Sequence, residues 1–218
     1  MVRTGATRTI ENAARRFGFA RVAGVDEVGR GCLAGPVLAG AVVLDPDAPI
    51  PGLRDSKLLS ARARERLFDQ IVARSLGWAV AAIEPDEIDR INIHRASLAA
   101  MHGAVAGLNP LPDLVLVDAF RIPDLWIPQR GIVHGDRIAA AIAAASIVAK
   151  VTRDRRMQEL HARDPRYGFD RHKGYGTPEH LAAIARFGYS AAHRRSFRPA
   201  SLFDVLEAAP AAPDSRGS

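Results

Sequence analysis

VAGVDEVGRGCLAGPVLAGAVVL, residues 22–44, sets the architecture that the sequence predicts. Two valine-rich apolar runs flank a glycine-rich segment, which is typical of a strand, a tight turn and a second strand. Further strands are predicted at 78–83, 113–118 and 131–134. Helices are predicted at about 60–75, 85–108 and 137–161, and Pro178 begins one more short helix. Strands followed by alternating strands and helices predict an α/β layer fold with a mixed sheet.

Length and composition predict one soluble domain with a sizeable core, because the 218 residues are 48% hydrophobic and 25% charged. Residues 1–18 carry a short helical pattern and are predicted as an N-terminal appendage. Residues 19–206 are predicted as the main domain, and the small, proline-interrupted residues 207–218 as a disordered tail. No apolar stretch reaches the roughly 20 residues of a membrane span.

The cysteine content and the net charge indicate the redox compartment of the protein and the type of partner that it binds. The single cysteine, Cys32, excludes an internal disulfide and cysteine-rich zinc sites, which favours a reducing, cytoplasmic compartment. Thirty Lys and Arg against 24 Asp and Glu give a net charge of +6, and the sequence pI is about 10.2. This balance favours a polyanionic partner such as a nucleic acid, although a merely basic enzyme is the alternative.

Four carboxylates fall at the ends of predicted elements. Asp26 and Glu27 are adjacent at the end of an apolar strand, Asp118 ends the strand LVLVD, and Asp136 precedes an alanine-rich helix. Each one alone can be explained as a helix cap, a turn former or a solvated strand end. Together, and without a Cys or His cluster, they predict a hard-cation site for Mg²⁺ or Mn²⁺, because these ions prefer oxygen ligands.

Eight short motifs add to the prediction of a metal site. They are DEVGRG at 26–31, LAGP at 33–36, RDSK at 54–57, LVD at 116–118, GD at 135–136, AAASIVAKVTRD at 143–154, KGYGT at 173–177 and HRRSF at 193–197. In wording and order they resemble the ribonuclease HII family over about residues 20–200. The resemblance implies a ribonuclease H-like fold, with a five-stranded mixed sheet flanked by helices and a helical C-terminal extension.

The resemblance also implies a set of site residues. The metal-binding catalytic carboxylates correspond to Asp26, Glu27, Asp118 and Asp136, with Asp26 shared between two Mg²⁺ or Mn²⁺ ions. The turn that reads the ribose 2′-hydroxyl, the group that distinguishes RNA from DNA, corresponds to Gly29, Arg30 and Gly31. The aromatic that stacks on the neighbouring deoxyribose corresponds to Tyr175. Candidate phosphate contacts are Lys57, Ser146, Lys150 and Arg153.

The implied activity is that of an endoribonuclease. It would hydrolyse the RNA strand of RNA:DNA hybrids and incise duplex DNA 5′ to single ribonucleotides, leaving 5′-phosphate and 3′-hydroxyl ends. Nothing in the sequence requires more than a monomer. The chain departs from the usual family wording at Cys32, at Ala119 and Phe120, and at His134, none of which removes a carboxylate.

Three alternatives stay open at this point. A DNA-cleaving nuclease of the same fold superfamily would share the acids but would not need Gly29-Arg30-Gly31 or Tyr175. A nucleic-acid-binding module without activity would be explained by the positive charge alone, but it gives no reason for the four acids. A glycosidase needs two separated acids across a sugar cleft, and the adjacency of Asp26 and Glu27 argues against it.

Overall fold

The computed structural model describes residues 5–197, in which five strands form one mixed sheet of order β3-β2-β1-β4-β5. β1 pairs with β2 antiparallel and with β4 parallel, β2 pairs with β3 antiparallel, and β4 pairs with β5 parallel. The predicted mixed five-stranded sheet is confirmed. The strands are β1 Val22–Val28, β2 Val37–Leu44, β3 Ser75–Ile83, β4 Leu114–Asp118 and β5 Gln129–Ile132.

Helices cover both faces of this sheet. The α-helices of the described residues are α1 Thr9–Arg16, α2 Ala61–Arg74, α3 Pro85–Ile91, α4 Ile93–Ala106, α5 Gly135–Ile138, α6 Ala140–Arg163, α7 Phe169–His172 and α8 Pro178–Phe187. Short 3-10 helices occupy Ser56–Leu58 and Pro165–Tyr167. The predicted helix at 137–161 is divided, because extended Ala139 pairs with Thr7 in an isolated β-bridge between α5 and α6.

Residue alternation along β1 separates two cores. Ala23 and Val25 face the side covered by α4, whereas Val22 packs with the start of α6 on the other side. Gly24 lets α6 approach the sheet closely, because a Cβ there would lie 2.0 Å from the Ala141 carbonyl carbon. The even positions of β1, which include Asp26, therefore face α6 at short range.

The connection between β1 and β2 differs from the predicted tight turn. It spans residues 29–36, and its Gly29 and Gly35 have φ of +93° and +80°. This loop is bonded to the C-terminal part of the chain, because its Leu33 N–H and Ala34 N–H donate to the Gly174 carbonyl at 2.8 and 3.3 Å. The predicted strand pair is confirmed, and its connecting segment is a loop with partners of its own.

The described part of residues 1–18 contains a short helix, as predicted, and is bonded to the start of α6. Ala140 N–H donates to the Thr7 carbonyl at 3.0 Å, and Ala141 N–H donates to Glu11 Oε1 at 2.7 Å. Glu11 is buried, and burial raises the pKa of its carboxyl. These bonds satisfy two backbone N–H groups in the first turn of α6. The boundary at residue 18 stays a prediction.

The C-terminal part of the described chain is helical, as predicted, with α7 and α8 packed beside the 29–36 loop. The predicted tail, 207–218, lies outside the described residues, as does the end of the predicted main domain. None of the helices in residues 5–197 combines the length and the hydropathy that a membrane crossing requires.

Candidate active site

The four predicted carboxylates lie at one edge of the sheet because of strand direction. β1 and β4 are parallel and Val25 pairs with Val117, so Asp26 and Asp118 leave neighbouring strands at the same end. Gly135 N–H donates to Asp118 Oδ1 at 2.7 Å, which brings the first turn of α5, and with it Asp136, to this edge. Glu27, one residue beyond Asp26, lies at the same strand end.

Burial and mutual repulsion dominate the electrostatics of this edge. Asp26 is 7% exposed, and burial raises the pKa of its carboxyl well above the ordinary range. The negative charges of Glu27, Asp118 and Asp136 raise that pKa further, whereas a hydrogen bond with Ser146 lowers it. Burial also raises the pKa of Glu27 and of Asp136. The edge therefore concentrates negative charge that a cation would relieve.

The donor set fits a hard divalent cation. Glu27 Oε2 is buried without a hydrogen-bond partner, although a buried carboxylate oxygen normally has one. Residues 5–197 contain no group of three or more His, Cys, Asp or Glu side chains that could hold a metal ion by itself. Mg²⁺ does not need such a group, because it commonly takes one or two carboxylates and completes its shell with water and substrate phosphate oxygens. Asp26, Glu27, Asp118 and Asp136 would supply the protein ligands.

Lys57 and Ser146 lie beside the carboxylates. The exposed Lys57 ammonium lowers the pKa of Glu27 and of Asp136, which places it within electrostatic reach of both. Ser146 is buried on α6, where its hydroxyl lies 2.9 Å from that of Ser56 and hydrogen-bonds with Asp26. The phosphate contact predicted for Lys57 stays a prediction, whereas the hydroxyl of Ser146 bonds to Asp26.

Lys150 and Arg153 have protein partners of their own. Lys150 Nζ donates to Asp154 Oδ1 at 2.6 Å in a partly buried pair on α6. Arg153 is fully buried, and its guanidinium donates to the carbonyls of Pro36, Lys173 and Ala34 at 3.1, 3.0 and 3.2 Å. A phosphate contact was predicted for Arg153, but its donors are used inside the protein. The structure gives it another role, which is to bond the 29–36 loop to residue 173.

Arg194 is a second buried guanidinium that the sequence did not assign. It is 0% exposed and donates to the carbonyls of Gly35 and Arg30, both at 3.0 Å. Burial lowers the pKa of Arg194 to about 10. Nothing in the HRRSF motif distinguishes Arg194 from its exposed neighbour Arg195, so only the tertiary contacts identify it.

These bonds place the predicted substrate-reading residues next to each other. The Gly174 carbonyl accepts from the 29–36 loop, and the next residue, Tyr175, is 45% exposed. Burial of part of the ring raises the pKa of Tyr175, and nearby Cys32 raises it further. Gly29 packs against Arg153, where a Cβ would lie 2.3 Å from the Arg153 Nε atom. The Gly-Arg-Gly turn and Tyr175 therefore share one surface beside Glu27.

Arg30 connects this surface to the carboxylates. Its guanidinium lies 3.6 Å from Glu27 Oε1 and over the Phe120 ring, at 4.8 Å from the centroid. Phe120 is one of the departures from the usual family wording, and it follows Asp118 by two residues. The aromatic face gives the Arg30 cation a favourable contact in addition to the acid.

Three buried histidines lie beneath the Tyr175 segment: His172, His180 and His193. Burial lowers the pKa of both His180 and His193 to about 4. The native protein therefore keeps them neutral in a pH range where an unfolded chain, with a histidine pKa near 6.5, begins to take up protons. Their contribution to stability is complete above pH ~6.5 and is lost as the pH falls towards 4.

We expect His193→Gln to be less acid-sensitive than the unsubstituted protein. Each pKa unit corresponds to about 1.4 kcal/mol. The free energy of unfolding of the unsubstituted protein, relative to that of the variant, should therefore fall by ~2–3 kcal/mol between pH 7 and pH 4.5. Urea unfolding of both proteins at several pH values measures this difference. Both proteins have the same carboxylates, so the contribution of these groups to the pH dependence drops out of the comparison. A difference in unfolding free energy that does not change with pH would contradict the assignment of neutral buried histidines.

Comparison with known proteins assigns the family. The family model for ribonuclease HII matches residues 23–200. This chain belongs to the ribonuclease HII family. Among its relatives, ribonuclease HII of Burkholderia pseudomallei (strain 1710b) is 56% identical over 186 residues, which is 85% of this chain and 87% of the relative. Ribonuclease HII of Cupriavidus necator is 56% identical over 182 residues, covering 82% and 76% of the two chains.

A solved structure extends the match to the fold. The ribonuclease H2 of Pyrococcus horikoshii OT3 superposes with a TM-score of 0.69 at 26% identity, covering 86% of this chain and 97% of that one. The predicted ribonuclease H-like fold is thereby confirmed. As a member of the ribonuclease HII family, the protein is a hydrolytic, metal-dependent endoribonuclease of the class that degrades the RNA of RNA:DNA hybrids.

Proposed function

We propose that this ribonuclease HII cleaves RNA:DNA hybrids and also incises duplex DNA on the 5′ side of single embedded ribonucleotides, with Mg²⁺ or Mn²⁺ bound by Asp26, Glu27, Asp118 and Asp136. The observation that supports it is the hydrogen bonding of the 29–36 loop to Gly174, because this puts a backbone turn and the Tyr175 ring next to the carboxylate edge. A cytoplasmic location and a monomeric state stay predictions.

The carboxylates supply the negative charge at which the chemistry takes place. Asp26, Glu27, Asp118 and Asp136 would hold a pair of divalent ions, which would supply activation of a water on one side of a phosphorus atom and stabilisation of the leaving oxygen on the other. Asp26 is a buried ligand, and its hydrogen bond with Ser146 would orient it. Glu27 offers its unpartnered Oε2 atom. No side chain needs to act as nucleophile, because the oxygen of the water would bond to phosphorus while the P–O3′ bond breaks. The products would then be a 5′-phosphate on the ribonucleotide and a 3′-hydroxyl on the upstream strand.

Selection of a ribonucleotide is the task of the two bonded loops. The 2′-hydroxyl both donates and accepts hydrogen bonds, so a backbone turn with N–H and C=O groups can recognise it. Gly31 leaves this turn open, since a Cβ there would meet no atom within 4 Å. Tyr175 offers an exposed aromatic face for the adjoining deoxyribose, which favours a junction between a ribonucleotide and DNA. The exposed Lys57 ammonium would contact a phosphate of the substrate.

A three-duplex assay tests this function. End-labelled duplexes carrying one ribonucleotide, no ribonucleotide or a full RNA strand are incubated with Mg²⁺ or Mn²⁺, each beside a chelated control. We expect metal-dependent incision 5′ to the single ribonucleotide, cleavage of the hybrid and no cleavage of all-DNA duplex. Equal cleavage of the all-DNA duplex would indicate the DNA nuclease, and no cleavage with either metal would refute the proposal.

Tyr175→Ala should reduce selectivity for single ribonucleotides. Removal of an aromatic stacking surface costs ~1–3 kcal/mol, so we expect kcat/KM on the single-ribonucleotide duplex to fall about tenfold or more. Cleavage of the RNA:DNA hybrid, which has no deoxyribose next to most of its ribonucleotides, should fall much less. Tyr175→Phe keeps the ring and serves as the control. Equal losses on both substrates would remove Tyr175 from junction recognition.

A further inference from the structure

The three buried histidines form a hydrogen-bonded row that ends on the backbone of the Tyr175 segment. His180 Nε2 lies 3.1 Å from His193 Nε2, and His180 Nδ1 lies 2.9 Å from the Tyr175 carbonyl oxygen. The rings of His172 and His180 are stacked, with centroids 4.4 Å apart. This row lies outside the carboxylate site, and the reaction as derived above does not use it.

The groups at the two ends of the row determine where each proton lies. Ser190 N–H, which can only donate, points to His193 Nδ1 at 3.0 Å, so neutral His193 carries its proton on Nε2. That proton is donated to His180 Nε2, which leaves the His180 proton on Nδ1. The Tyr175 carbonyl can only accept, and it receives this Nδ1 proton. Every bond of the row is therefore satisfied by one arrangement of tautomers.

His172 completes the support from the other side. Gly174 N–H donates to His172 Nδ1 at 3.2 Å, so the His172 proton lies on Nε2 and is donated to the Tyr167 carbonyl at 2.7 Å. Two backbone groups on either side of the Tyr175 side chain are thus hydrogen-bonded to a buried imidazole. They are the Gly174 N–H and the Tyr175 carbonyl. Because the low pKa of His180 and His193 keeps them neutral, the arrangement persists at physiological pH.

Ring packing and a further hydrogen bond hold the histidine row in place. His193 packs edge-on to Tyr167, with centroids 4.7 Å apart, and His180 packs edge-on to Phe169 at 5.5 Å. The Tyr167 hydroxyl donates to the Gly188 carbonyl at 2.9 Å and so anchors the cluster to the end of α8. Fully satisfied buried polar networks of this kind specify one conformation.

We propose that His180, held by His193, is a positioning residue for Tyr175 and thereby sets the preference for single ribonucleotides over hybrids. The inference rests on the proposed function of Tyr175. The imidazole pair does not touch the substrate; it fixes the carbonyl of Tyr175, and with it the height and direction of the exposed ring beside the Gly-Arg-Gly turn.

A double-mutant cycle tests the coupling. His180→Leu fills the site without a donor, and kcat/KM on the single-ribonucleotide duplex should fall about as far as in Tyr175→Ala, with much less loss on the hybrid. Combined with Tyr175→Ala, it should cause no further loss on the single-ribonucleotide duplex. His180→Asn places an amide donor near the Nδ1 position and should restore most of the activity, and His102→Leu, on the exposed face of α4, is the matched control.

Losses that multiply in the double variant, or equal losses on both duplexes, would overturn the positioning role. If His180→Leu fails to fold, nitrogen-15 NMR of the unsubstituted protein decides instead: the inference requires the Nδ1-protonated tautomer at His180 and the Nε2-protonated one at His193. The reverse tautomers would overturn it. Lack of any incision at single ribonucleotides by the unsubstituted protein would refute the proposed function, whereas the tautomers are measured without substrate.

Discussion

Asp26→Asn is expected to abolish cleavage and to make the metal-free protein more stable. Loss of this carboxylate should reduce kcat/KM by about a thousandfold or more, which is ~4 kcal/mol of transition-state stabilisation, because Asp26 is a buried ligand of the proposed metal site. Binding of the substrate duplex should survive, since the residues that read the substrate are unchanged. Rates of incision and duplex binding, measured on the same preparation, check both statements.

The gain in stability follows from the raised pKa of Asp26. Its native pKa lies above the unfolded value, so the stability associated with this group is greatest at low pH and is lost as the pH rises through the native pKa. At neutral pH without metal, the protein bears the cost of a buried charge beside three other carboxylates. Asparagine is neutral and should raise the free energy of unfolding by ~1–3 kcal/mol.

A matched control separates these effects from a general effect of charge. Asp69→Asn changes an exposed carboxylate on α2 and should alter neither activity nor stability by more than ~0.5 kcal/mol. Chelated samples exclude metal bound by the unsubstituted protein. An Asp26→Asn enzyme that keeps its metal-dependent activity would contradict the assignment of the site, and a variant less stable than the parent would contradict the electrostatic account.

Arg153→Met is expected to have the largest effect on stability. It leaves the carbonyls of Ala34, Pro36 and Lys173 without their donor in a fully buried position. At ~1–3 kcal/mol for each unsatisfied group, partly relieved by local rearrangement, we expect a loss of about 3–5 kcal/mol in the free energy of unfolding. Because the same guanidinium joins the 29–36 loop to residue 173, incision at single ribonucleotides should fall at least about tenfold.

Arg155→Met provides the comparison on the same helix. Arg155 is exposed and pairs with Glu65, and such a surface pair contributes ~0.2–1 kcal/mol. Denaturant unfolding of the two variants should therefore differ by several kcal/mol. Arg153→Lys should resemble Arg153→Met more than the parent, because one ammonium cannot reach three separated carbonyls. Similar stabilities for Arg153→Met and Arg155→Met would show that Arg153 is not the bond between the loops.

The carboxylates could be predicted from sequence because local patterns identify them. An acid directly after a buried apolar run lies at the end of a strand, and Asp26 and Asp118 share an edge as soon as β1 and β4 are parallel. The helix after Ser60 and the stop after β3 were likewise predictable from caps and prolines. These features depend on residues close to one another in the chain.

The buried guanidiniums and imidazoles could not be predicted in the same way. Arg153 bonds to a carbonyl 119 positions away, and Arg194 to one 159 positions away. In the sequence Arg153 stands in the run TRDRR. Its neighbours Arg155 and Arg156 are at least partly exposed, and each pairs with a glutamate outside α6. Arg153 was predicted as a candidate phosphate contact, but it lies on a part of α6 that the 29–36 loop covers.

The most direct test of the central claim is anomalous diffraction at the manganese edge from crystals of the protein grown with Mn²⁺ and a duplex that contains one ribonucleotide. The account predicts manganese against the carboxylates of Asp26, Glu27, Asp118 and Asp136, with the ribose of the single ribonucleotide against the Gly-Arg-Gly turn. Manganese absent from these carboxylates, or a duplex whose ribonucleotide lies away from that turn, would contradict it.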